Sequence, residues 1–155
     1  MLRATSVIPS AGAGKTPEDT ITLDHRARCR RRVLLTTDSG RELMVDLAQA
    51  PQLADGDLLG LANGGSVLVR AAPEDLLEIQ ASSAVALARL AWHLGNRHTP
   101  AEVTGEAIYI EADHVLEEML VGLGARVRRL SRPFEPESGA YAGRHDHTMA
   151  GPDER

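Results

Sequence analysis

Leu76-Leu-Glu-Ile-Gln80, followed by Ser82-Ser-Ala-Val-Ala-Leu-Ala-Arg-Leu-Ala-Trp-His-Leu-Gly95, is the stretch on which the fold turns. The first run is a short strand. Behind it Leu87, Leu90, Ala91 and Leu94 fall at i, i+3, i+4 and i+7, the spacing of an amphipathic helix. Ser82 or Ser83 is placed to cap that helix and Gly95 to stop it. Further on, Val103 begins a strand before Gly105, and Glu106-Ala-Ile-Tyr-Ile-Glu111 sets Ile108 and Ile110 on one face of another. Asp113 can cap a second helix with Leu116, Met119, Leu120 and Leu123 on one stripe and Gly124 at its end. Arg126 to Leu130 supplies a last strand. The order β-α-β-β-α-β is the ferredoxin-like arrangement, two helices on one face of an antiparallel sheet.

Upstream of Ala71-Ala-Pro73 helical spacing is absent. Arg32 to Thr37 and Arg41 to Asp46 are two β-rich runs around Asp38-Ser-Gly40, which predicts a hairpin. Leu58 to Leu61 and Ser66 to Arg70 repeat it around Asn63-Gly-Gly65, after a turn at Asp55-Gly-Asp57. The chain is therefore α+β: a small all-β unit over residues 1–72, a ferredoxin-like unit over 73–143, and a polar tail over 144–155 that is expected to be mobile.

The 155 residues are 43% hydrophobic and 25% charged, which is the composition of a folded globular chain. Trp92, Tyr109, Phe134 and Tyr141 are too few rings for a base-stacking platform, and the net charge of −5 argues against non-specific nucleic-acid binding. The single Cys29 forms no internal disulfide, no run of eighteen apolar residues spans a membrane, and the first 13 residues lack the apolar core of a signal peptide. A cytoplasmic protein with no nucleic-acid or membrane partner is expected.

Ala11-Gly-Ala-Gly-Lys-Thr16 has the look of a phosphate loop, but Pro9 stands where the motif needs its first glycine, and no strand and helix flank it. A plain loop is expected. Arg26, Arg28, Arg30, Arg31 and Arg32 read as a solvated edge strand or as a docking face for an acidic protein. His93 and His98 flank the end of the first helix and His114 starts the second, while His145 and His147 sit two apart in the tail. Imidazole suits nickel, copper and zinc, yet no spacing here identifies a complete ligand set. His93 at a helix C-terminus has the ready alternative of satisfying the last carbonyls. No paired nucleophile and base is visible, so catalysis is not expected.

Arg28 to Arg41, Gly56-Asp57, Ala72-Pro-Glu74, His93-Leu-Gly-Asn-Arg-His98, Asp113 to Leu120 and Pro133-Phe-Glu-Pro-Glu-Ser-Gly-Ala-Tyr141, taken in this order, resemble the UreE family of urease accessory proteins, which are nickel metallochaperones. The resemblance implies a homodimer in which His98 faces its symmetry mate and both bind one Ni²⁺, with Zn²⁺ or Cu²⁺ as substitutes in vitro. It further implies that His145 or His147 completes the coordination, that the β unit docks partners, and that the ion passes through a UreG-type GTPase to the urease apoprotein. Some relatives carry a His-x-His pair before the second helix. Here Ala112 and His114 occupy those positions, so half of that secondary site remains.

Overall fold

The computed structural model describes residues 1–10 and 14–139, and within them the change of period at Pro73 separates two sheets. The first contains β1 (Leu2–Ile8), β2 (Asp19–Leu23), β3 (Arg32–Thr36), β4 (Glu42–Asp46), β5 (Leu58–Leu61) and β6 (Ser66–Ala71), in the order β2-β6-β5-β1-β4-β3. Both expected hairpins are present, β3 with β4 and β5 with β6. Gly40 and Gly64 turn them at φ of 90° and 92°, the left-handed region that a side chain disfavours. The sheet also has two parallel pairings, β1 with β4 and β2 with β6. Its core is Ile21, Leu43, Leu59, Val67 and Val69.

The turn between β3 and β4 folds back onto β2. Asp38 accepts from the Thr20 hydroxyl at 2.6 Å and from the Thr22 amide at 3.2 Å, and its own amide donates to the Thr20 carbonyl at 2.8 Å. Beside it the Ser39 hydroxyl donates to Asp19. That bond, helped by Thr37, holds the Asp19 carboxyl down to about 2.

The second sheet contains β7 (Pro73–Gln80), β8 (Glu102–Val103), β9 (Ile108–Glu111) and β10 (Arg126–Pro133) in the order β10-β7-β9-β8, every neighbour antiparallel. This is the ferredoxin-like order. Its helices are α1 (Ala84–Asn96) and α2 (His114–Gly122). Alternation along β7 and β9 sends Leu77, Ile79, Ile108 and Ile110 to one face, where Leu90 and Leu94 of α1 and Leu120 of α2 cover them. Leu76 and Tyr109 point the other way and pack with Phe134. Ser83 is the cap of α1, accepting from the Ala86 amide at 3.1 Å, and Asp113 caps α2 through the Leu116 amide at 2.9 Å.

Several expectations need correction. β7 starts at Pro73 and β10 runs on to Pro133, because the two pair over their whole length. Leu123 follows the end of α2 and lies exposed, outside the buried stripe. Gly95 does not stop α1, which continues to Asn96. The arginine run is not one edge strand: Ala27–Cys29 is a 3₁₀ turn that buries Arg28, and the edge strand β3 begins at Arg32. The tail from residue 144 lies outside the described residues.

Candidate metal centre

His98 holds a position that usually belongs to glycine. The end of α1 closes with the Thr99 amide on the Leu94 carbonyl and the His98 amide on the Gly95 carbonyl, both at 3.1 Å, which is a Schellman motif. The motif requires a left-handed residue just past the cap, and His98 supplies it at φ of 54°. Among the described residues it alone is a non-glycine at positive φ. A side chain there costs about 1 kcal/mol relative to glycine. The imidazole is exposed beyond the helix end. Such strain is characteristic of functional positions.

The outer face of α1 leads to it. Val85 and Trp92, seven residues apart, are 62% and 63% exposed, Ala88 is exposed between them, and Arg89 is the sole Asp, Glu, Lys or Arg in the helix. His93 lies edge-on to Trp92 with ring centroids 5.1 Å apart, and among the described residues it does not bond the last carbonyls of the helix. His114 stands at the N-terminus of α2, exposed, with Nε2 3.1 Å from Glu118 Oε1 one turn on. Because β9 runs antiparallel to β7 and each strand leads into a helix running back, the end of α1 and the start of α2 share one end of the sheet. Even so, among the described residues no three His, Cys, Asp or Glu side chains are grouped to hold a metal.

His145 and His147 lie outside the described residues. The Glu137 amide donates to the Ala101 carbonyl at 2.8 Å, and Glu137 Oε1 accepts from the Val103 amide at 3.2 Å. At residue 137 the chain therefore runs beside Ala101, three residues past His98, and the start of β8.

The five arginines do not form one open face. Arg28 is 3% exposed, with Nη1 donating to the Leu53 carbonyl at 3.1 Å and Nη2 to the Phe134 carbonyl. Arg26 pairs with Glu111 at 3.1 Å, Arg32 with Asp46 at 3.0 Å, and Arg31 donates to the Leu47 carbonyl at 3.0 Å. Arg26, Arg30, Arg31 and Arg32 remain exposed, so the run presents four surface arginines and not five. Cys29 is an exposed free thiol. Gly14, Lys15 and Thr16 border a cleft with Gly64, Gly65 and Ser66, and the next described element is β2; Ala11, Gly12 and Ala13 lie outside the described residues. No helix among the described residues is long and apolar enough to cross a membrane.

Residues 3–72 match the family profile described as UreE urease accessory protein, N-terminal domain, and residues 74–154 match its C-terminal domain. The chain belongs to the UreE family. The urease accessory protein UreE of Azorhizobium caulinodans is 57% identical over 85% of this chain and 64% of its own length, less than two thirds. Those of Beijerinckia indica and Agrobacterium fabrum are 43% and 47% identical, over 96% and 95% of this chain and 88% and 92% of theirs.

In this UreE chain the Pro-Phe-Glu-Pro-Glu run is a strap across the two sheets. Phe134 is fully buried, the Asp55 amide donates to Glu135 Oε1 at 3.1 Å, and the Gln52 amide group donates to the Pro136 carbonyl at 3.1 Å. His25 meets it, its ring edge-on to Phe134 at 4.9 Å between centroids. Neither His25 nor Arg28 stands out in the sequence as a joint residue. The signal for them lies in partners about 50 and 110 positions away, Glu74 and Phe134, which no local spacing shows.

Proposed function

We propose that this protein carries Ni²⁺ for urease maturation as a homodimer, with His98 from each of two copies ligating one shared ion. The observation that carries this reading is His98 itself, a strained and exposed imidazole placed where glycine would be the more stable choice. Family membership supports the urease setting. The exposed Val85-Ala88-Trp92 band supports self-association along α1, since burying it against a second copy would remove apolar surface from water. A two-fold axis doubles each ligand without using more sequence, which accounts for the lack of a three-residue group within one chain.

In this reading residues 73–143 bind metal and dimerise, residues 1–72 dock partners, and the tail over 144–155 closes the site. From residue 139, His145 is six residues on and reaches at most about 20 Å, enough to return to a neighbouring loop. His145 or His147 adds labile nitrogen ligands, and His114 stands at the same end of the sheet as a secondary position. Nickel commonly takes more than two such ligands, and Zn²⁺ or Cu²⁺ fits the same imidazoles. The protein is a cytoplasmic carrier without catalytic activity. It hands the ion to a UreG-type GTPase bound for the urease apoprotein, and easily displaced tail ligands suit a site that must also let go.

Calorimetry with Ni²⁺ on the full chain tests this. One ion per two chains is expected, with high-affinity binding abolished in His98→Ala and weakened by truncation after Tyr141. Undiminished binding in His98→Ala overturns the assignment. Protons compete with the metal for imidazole nitrogen, so affinity falls on acidification.

A further inference from the structure

We propose that His25 is a proton-operated latch that sets how firmly the β-rich half is held against the ferredoxin-like half. His25 follows β2, is 8% exposed, and faces two carboxylates of the other sheet. Its Nδ1 lies 2.7 Å from Glu74 Oε1, at the start of β7, and its Nε2 lies 3.3 Å from Glu111 Oε1, at the end of β9. The His25 amide also donates to Glu74 Oε2 at 3.0 Å.

An ionised carboxylate offers acceptors only, whereas a neutral imidazole has one N–H and one lone pair. Neutral His25 therefore satisfies one carboxylate and turns a lone pair toward the other. The imidazolium donates to both. Arg26 and Asp24 come from the same turn, where Arg26 holds Glu111 and the Asp24 carboxylate accepts from the Ala27 amide at 2.8 Å. Arg28 lies 4.0 Å from both Glu74 and Glu135, and Cys29 lines the adjoining cleft. Three carboxylates, Glu74, Glu111 and Glu135, thus lie against the guanidiniums of Arg26 and Arg28 around His25.

His25 stands on one half and both its carboxylates on the other, so its proton acts across the joint. Acid firms the latch and alkali loosens it. The proposal does not depend on nickel and is tested on metal-free protein.

The test is amide hydrogen exchange on the full chain at pH 5.5 and 8.0, each corrected for intrinsic exchange. The Arg28, Cys29 and Arg30 amides, which close the turn after His25, are read as a ratio to the core amide of Ile79 so that global opening cancels. Protection of the turn is expected to be about tenfold greater at the lower pH, the scale of one charge-assisted hydrogen bond. His25→Gln removes that difference. Should His25→Gln fail to fold, the less buried Glu111→Gln decides, and it too is expected to flatten the response. Equal protection at both pH values in the wild type, or a tenfold response persisting in Glu111→Gln, overturns the latch.

Discussion

At position 98 glycine would make the more stable protein. His98→Gly is therefore expected to raise the urea stability of the metal-free chain by about 1 kcal/mol while removing the proposed nickel binding, and His98→Ala to remove that binding without the gain. A loss of stability in His98→Gly would show that the histidine is there for structure. The sequence marks this residue within His93-Leu-Gly-Asn-Arg-His98, but it points to Gly95 as the turning residue, because glycine is the ordinary left-handed cap. Tyr109 carries a second residue-level expectation. Burial, then the hydrogen bond to Glu78 at 3.0 Å, raises its phenol above 10.0. A raised value favours the neutral form in the folded state. Its contribution is intact below pH 10 and is lost as pH climbs through the folded value. Phenolate absorbance in a Tyr141→Phe background should titrate above 10.0, and at a lower pH once Glu78→Gln is introduced.

Among the elements, those with a strong local period were legible before any coordinates. Both helices with their N-caps, and both hairpins, follow from spacing, since an amphipathic stripe and a Gly-closed turn are local properties. β1 and the pairing of β2 were not, because parallel partners such as Leu2 with Leu43 and Asp19 with Val67 lie more than forty residues apart. Ser83→Ala should cost about 1 kcal/mol by removing the cap of α1, read as a lower thermal midpoint. The turn between β3 and β4 answers to acid. Asp19 is held at about 2 against an ordinary 3.8, so the stability it lends is complete above pH 3.8 and is lost as pH falls toward 2. Ser39→Ala, which removes the first cause, should flatten that part of the urea midpoint against pH.

Over the whole molecule, the strap makes one body of two sheets that the sequence divides at Pro73. Phe134→Ala empties a fully buried site and should cost about 3–5 kcal/mol, measured by denaturant unfolding. The Pro-Phe-Glu-Pro-Glu motif is part of the family resemblance, yet its tethering, Phe134 to Leu53 through Arg28 and Pro136 to Gln52, is visible only in three dimensions. The metal site goes one scale further. In the proposed site the ligands belong to two copies, so no single-chain pattern would display them. Anomalous diffraction at the nickel edge, from crystals of the nickel-loaded full chain, addresses that directly. The account predicts one nickel on a two-fold axis between the His98 imidazoles of two copies. Nickel bound elsewhere, with the two His98 rings far apart, would contradict it.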